Sequence, residues 1–169
     1  VAKEAMVSSL WAFSFRRMLD DYCARLYAPA ARSSTRFQAK KFAIAHGLAA
    51  WKQRVIEHWP SVAAAAQGPH ESQYTIGETA PVTAQVILGE LTPAEVYVEI
   101  VYGDEQGGVL AGPKDTAMTL DHTDAQGVHH YVGHFAPDHT GALIYGVRVL
   151  PHHPDMLNKH DLALAVWAN

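Results

Sequence analysis

The chain has 169 residues, 49% of them hydrophobic and 18% charged, with a formal net charge of −4. That composition describes a soluble globular protein with apolar material for a real core, and the length suits one domain or one domain with a helical extension. No membrane-length apolar run and no signal peptide is visible, and the single cysteine, Cys23, excludes an internal disulfide and fits a reducing cytoplasm. A sequence that begins at Val1 rather than at Met reads as a fragment.

Charge says more when split by position. Residues 1–60 carry ten Lys and Arg against four Asp and Glu, and the remainder carries three against thirteen, so a basic first part is followed by an acidic second part. The basic part has no recognition motif, Gly-rich arm or basic-aromatic repeat, which argues against a nucleic-acid surface. It reads instead as a face turned toward its acidic neighbour or toward a partner surface.

In chain order, Ala2, Met6 and Leu10 mark one stripe of a short first helix. Ser14 is the N-cap expected for a second, in which Phe15, Leu19, Tyr22 and Leu26 recur at amphipathic spacing and Pro29 is the expected stop. Ser33 or Ser34 can cap a third helix with the stripe Phe37, Ile44, Leu48, Trp51, Val55 and Trp59, ending at Pro60. Its two tryptophans need cover from the following domain, from the second helix, or from a body outside the chain. Residues 61–72, SVAAAAQGPHES, lose branched and aromatic side chains and end in a Gly-Pro breaker, so they read as a linker between a helical segment (1–60) and a C-terminal domain (73–169).

Beyond the linker the pattern alternates. Strands are expected at 73–76, 82–88, 96–102, 117–121, 128–135, 143–150 and 162–167. Seven short strands in about a hundred residues suit an immunoglobulin-like sandwich, making the fold class α+β: helices, then an all-β sandwich. In the strand at 96–102, Val96, Val98 and Ile100 should point inward and Tyr97, Glu99 and Val101 outward.

Catalytic templates are absent. The histidines at 129, 130 and 134 split between two strand faces and those at 152, 153 and 160 flank a Pro-rich turn, so no compact metal set forms locally. Asp20 and Asp21 diverge by about 100° around a helix and suit a solvated face better than an acid/base pair. Cys23 reads as a partly buried, inert thiol. Gly107-Gly108 and Gly112-Pro113 read as a hairpin or loop, without the helix N-terminus that a phosphate cradle needs.

The run YGVRVLPHHPDMLNKHDLALAVWA resembles the C-terminal signature of bacterial and archaeal α-glucan phosphorylases of glycosyltransferase family 35, and FSFRRMLDDYCARLYAPAA resembles a helix of the same enzymes. Asp161, Ala163 and Ala165 depart from that pattern, replacing a glutamate, a glycine and a variable position, changes that touch packing rather than chemistry. The resemblance implies a parent that transfers glucosyl units from α-1,4-glucan to phosphate with pyridoxal phosphate bound to a lysine in a Gly-Thr-Gly-Asn-Met-Lys type motif. No such motif occurs here, so Lys3, Lys40, Lys41, Lys52, Lys114 and Lys159 do not carry over as the cofactor lysine, and no catalytic, cofactor or metal residue is assigned.

The resemblance therefore implies the C-terminal piece of a cytoplasmic phosphorylase: the last helices of its second lobe and an appended sandwich. The rest of that polypeptide is the implied partner, and cut helices could self-associate. Three roles follow as expectations. The helices dock on the catalytic body and the sandwich braces them; or the sandwich holds α-1,4-glucan, with Tyr97, Tyr102 and Tyr131 as candidate contacts; or the chain is an autonomous immunoglobulin-like interaction domain.

Overall fold

The computed structural model describes residue 4 and residues 14–69, 73–138 and 140–169. The stripe expected at Ala2, Met6 and Leu10 lies outside the described residues. The chain divides into two compact units, Val1–Ala49 and Ala50–Asn169.

In the first unit, helix α1 (Phe15–Tyr22) starts where Ser14 predicts, with the Ser14 hydroxyl accepting the Arg17 amide at 3.2 Å. Pro29 does not stop it. A π-helical turn, Cys23–Tyr27, leads directly into helix α2 (Ala28–His58), which contains Pro29, Ser33 and Ser34. Proline lacks an amide proton and crowds the carbonyl four residues back, and the wider turn just ahead of it relieves both problems. The break falls later: Lys40, Lys41 and Phe42 have φ of 48°, 57° and 62°, left-handed backbone that divides α2 into two helical pieces. No described residue of this unit is buried, and Phe15 is 71% exposed. Cys23 is exposed as well, which corrects the partly buried reading: the apolar stripe beside it has no cover among the described residues.

The last turns of α2 belong to the second unit, and here the stripe is covered. Trp51, Val55 and Trp59 are buried, and Pro60 closes the helix in a 3₁₀ turn, Trp59–Ser61. Trp51 donates its indole N–H to Glu95 Oε1 at 3.0 Å, and Arg54 pairs with the same carboxylate. The other oxygen of Glu95 accepts the Thr92 amide and hydroxyl, closing a capping box on the 3₁₀ turn Pro93–Glu95. The His153 ring sits 4.9 Å from Trp51. The domain that follows the helix, not the second helix, therefore covers the tryptophans.

That domain is a sandwich of two antiparallel four-stranded sheets. One has the order β1 (Ala63–Gln67), β2 (Ala80–Ile87), β6 (His129–Phe135), β5 (Thr119–Thr123); the other has β4 (Val109–Ala117), β3 (Val96–Gln106), β7 (Leu143–Pro151), β8 (Val166–Trp167). The fold class is α+β, with eight strands rather than seven. In β2 the alternation is strict, with Ala80, Val82, Ala84 and Val86 facing the core. Val98, Ile100, Val147 and Val149 meet them from the second sheet.

Four elements differ from the sequence reading. Ala63–Gln67, read as linker, is strand β1: alanine has low β propensity, but this stretch pairs with β2 on one side, and on the other Ala66 donates to the Asn169 carbonyl while Asn169 donates to Ala64. Residues 109–116, where no strand is expected and Gly112-Pro113 reads as a hairpin or loop, belong to edge strand β4, where Pro113 is tolerated and a register shift between Tyr102 and Asp104 absorbs the irregularity. Residues 73–76, read as a strand, are coil and turn. Of the last expected strand only Val166–Trp167 pairs, because Ala163 takes a left-handed φ of 50° where the resembling pattern carries glycine.

The outer face of the second sheet is not solvated as alternation predicts. Glu99 is 0% exposed and Val101 is buried. Arg148, directly across from Glu99 on β7, donates its Nε to Glu99 Oε1 at 2.6 Å. Lys159, from the segment after β7, donates to Glu99 Oε2 at 2.8 Å and to Asp115 Oδ2 at 2.9 Å. Trp167, across from Arg148 on β8, places its ring 5.4 Å from the guanidinium. Sequence alternation assumes an uncovered outer face; the chain after β7 returns across this one.

Replacing Glu99 with alanine would leave Arg148 and Lys159 without their shared acid, and a loss of about 3 kcal/mol in urea unfolding is expected, against under about 0.5 kcal/mol for breaking the exposed Arg17–Asp21 pair. The hydrogen bond from Lys159 holds the Asp115 carboxyl below its usual range, against the opposing effect of burial. A lowered folded-state value contributes stability above the unfolded carboxylate range that is lost as pH falls through the folded value. Burial is the largest influence on Lys159 and lowers it, but its bonds to Glu99 and Asp115 raise it overall, so its contribution persists at neutral pH and is lost as pH rises through the raised value. The thermal midpoint should therefore fall on acidification below about pH 4, and less steeply in Asp115→Asn.

Candidate functional site

The two sheets close unevenly at the end where the β1–β2 connection meets the β6–β7 connection. There β3, β6 and β7 each turn an aromatic side chain into the space between the sheets: Tyr102, Phe135 and Tyr145. Tyr102 stacks on Phe135 with centroids 4.9 Å apart, and Phe135 lies 5.4 Å from Tyr145. Tyr145 pairs directly across from Tyr102, so all three lie on the inward face.

Outward of these rings lies a cleft of about 760 Å³, lined among others by Tyr74, Phe135, Pro137, Leu143 and Tyr145. Its polar side chains are Gln73, Thr75, Thr140 and the tyrosine hydroxyls; no charged side chain is among the described residues that line it. The walls are tied by backbone bonds, Gly77 donating to the Pro137 carbonyl at 3.4 Å and Glu105 to Ala142 at 2.9 Å. The Thr75 amide also donates to Glu78 Oε2 at 2.7 Å. Gly68 is part of the arrangement: any side chain there would overlap the Tyr145 hydroxyl, so glycine is what lets the ring lie against the backbone after β1.

The structure does not gather the three tyrosines singled out from the sequence. Tyr97 and Tyr102 are five residues apart on β3 and so face opposite sides of the sheet. Tyr97 lies on the outer face near Lys159 and His152, and Tyr102 on the inner face under Phe135. Tyr131, on the other sheet, is buried at 5% exposure, and burial pushes its phenol up. No two of them share an exposed face. Strand order, which brings Tyr74, Phe135 and Tyr145 together, has no signature in local spacing; the available signal is Phe135 just before the 136–142 connection and Tyr145 two residues into the strand after it.

The histidines also find local partners. His122 and His130 stack in parallel with centroids 4.3 Å apart, each with a ring nitrogen toward a different carboxylate, Asp121 at 2.9 Å and Asp124 at 3.2 Å. A backbone bond from Val128 is the main cause that holds the Asp124 carboxyl below its usual range, with His130 adding to it. His129 meets the Thr123 hydroxyl at 2.8 Å. Among the described residues no group of three or more His, Cys, Asp or Glu is placed to hold a metal ion. No described helix is long and apolar enough to cross a membrane.

Lys159 is engaged by Glu99 and Asp115, Lys114 pairs with Asp138 at 2.5 Å, and neither the aromatic cleft nor the smaller groove beside His122 has a lysine in its lining.

The sequence profile of the glycogen phosphorylase C-terminal domain matches residues 51–169. The match starts one residue into the second compact unit. Glycogen phosphorylases of Mycobacterium bovis and Mycobacterium tuberculosis are each 33% identical to this chain over 156 residues, covering 90% of it and 18% of their own length. The chain thus spans about a fifth of the curated relatives it matches.

The Tyr131 hydroxyl makes no hydrogen bond among the described residues. A buried, unpaired hydroxyl costs about 1–3 kcal/mol, so Tyr131→Phe should leave the denaturation midpoint unchanged or raise it. A clear fall would show that the hydroxyl has a partner.

Proposed function

Since the chain belongs to the glycogen phosphorylase C-terminal domain family, we propose that it is the C-terminal piece of an α-glucan phosphorylase and serves there as an architectural end-piece. The parent would carry out the pyridoxal-phosphate-dependent, glucosyl-transferring phosphorolysis of α-1,4-glucan in the cytoplasm. Its catalytic and cofactor residues would lie in the remaining polypeptide. The coincidence of the family match with a compact unit that has its own core supports this reading: residues 50–169 bury a set of apolar side chains, and the family match covers that unit from residue 51 onward.

The docking element shifts relative to expectation. Trp51 and Trp59 are already covered, so they cannot be the surface that meets a catalytic body. Helix α1 and the π-helical turn that follows it are better suited: Phe15, Leu19, Tyr22 and Leu26 are all exposed, with Arg16, Arg17 and Arg25 among them. An exposed amphipathic stripe of that kind is the usual face of a helix taken from the edge of a larger core. Self-association through the same face would be its alternative outcome in isolation.

Deleting residues 50–169 from the parent should lower its thermal midpoint and kcat. A truncated enzyme with both unchanged would sink the bracing role.

A further inference from the structure

Helix α2 is broken where its sequence does not encode a break. No glycine or proline lies between Ala30 and Gly47, and Ala39, Lys40, Lys41, Ala43 and Ala45 are strong helix formers. Phe37, Ile44, Leu48 and Trp51 follow at steps of seven, four and three, so the apolar stripe is in register for an uninterrupted helix. Yet Ala39 has a ψ of 150° and Lys40, Lys41 and Phe42 are left-handed. L-residues visit that form singly and not in runs, with a preference against it of about five- to thirtyfold each. Such backbone persists only where the surroundings hold it, and no described residue of the first unit is buried around it.

We propose that residues 39–42 are a two-state hinge. In the broken form α2 half-covers its own stripe: Phe37, Ile44 and Leu48 are each half-buried, whereas Phe15 of α1 is 71% exposed. In the other form residues 39–42 are right-handed, and Phe37, Ile44 and Leu48 make one seam along a continuous helix. That seam is covered by the remaining phosphorylase polypeptide, an occupant that rests on the architectural reading above; the hinge itself rests on the backbone. The chain spans about a fifth of the relatives it matches, so most of such a protein lies outside it. Residues 1–49 hold eight Lys and Arg against three Asp and Glu, so the covering surface is an apolar strip with an acidic rim. Docking then removes the left-handed strain and completes the burial of the stripe, and both effects shift α2 to its right-handed form.

The test is amide hydrogen exchange, read by mass spectrometry, in the 169-residue chain and in the parent phosphorylase. Exchange across residues 39–45 should be at least about tenfold slower in the parent. Lys41→Gly separates the two forms, because glycine accepts left-handed backbone freely and weakens a right-handed helix. It should slow exchange across that segment about fivefold in the isolated chain and speed it about fivefold in the parent. Equal wild-type exchange in both proteins would overturn the proposal, as would a Lys41→Gly effect of the same sign in both. The wild-type comparison decides this even if the variant fails to fold. Residues 15–26 report separately on docking: protection there in the parent, with none gained at 39–45, overturns the hinge and leaves the docked helix standing. The reverse pattern keeps the hinge and overturns the docking of α1.

Discussion

A carboxylate cut off from water must be met by cations in good geometry, or the structure around it pays the full desolvation cost. Glu99 is such a group, fully buried in the middle of β3, and its two oxygens are divided between Arg148 on the neighbouring strand and Lys159 in the segment that follows. The first contact fixes the register of β3 against β7, since only the pairing that places residue 99 opposite residue 148 satisfies both charges. The second draws the chain after β7 back across the sheet. Asp115 extends the set to edge strand β4, and Trp167 extends it to β8 through the Arg148 guanidinium. All four strands of that sheet therefore touch one small group of charges. An apolar residue at position 99 could fill the space, but it would not tell the chain where its final segment belongs.

The division between legible and hidden features follows the range of the interactions. Ser14, Pro60 and the strict alternation of β2 act within a few residues, and each appears where local chemistry places it. The helix stripe from Trp51 to Trp59 was equally legible, and only the identity of its cover was open. Strand β1 was hidden because four alanines have no strand preference of their own and are held by partners far away in sequence. Strand β4 was hidden by Gly112 and Pro113, which punctuate a sequence but sit comfortably at a sheet edge. Glu99 was assigned outward by parity, which was right, and solvated by default, which was not. The aromatic cleft was illegible for the same reason as β1: its rings come from separate connections and both sheets.

The family match and the geometry describe one object from two sides. The profile begins at residue 51, and the physical unit begins at Ala50, with the helical turn that carries Trp51. The end of α2 is thus an integral part of the domain, fastened by Glu95, whose carboxylate serves the Thr92 capping box and the Trp51 indole together. The helix that enters the domain is in this way indexed to the start of β3. Glu95 shares that task with the His153 ring against Trp51 and with the burial of Val55 and Trp59.

The backbone exchange between Asn169 and the alanines of β1 bears on how the unit folds. It joins the edge of one sheet to the edge of the other using the first strand and the last residue of the domain. Loop-closure entropy must be met across nearly the whole domain before that contact returns any enthalpy. The first sheet can assemble early only without its β1 edge secured, so the outer edge of β1 stays unpaired until residue 169 arrives. Within the domain the alanine strand is made well before the residue that secures its outer edge, which makes this quiet stretch a point at which a slowly completed domain is open to pairing with the wrong partner.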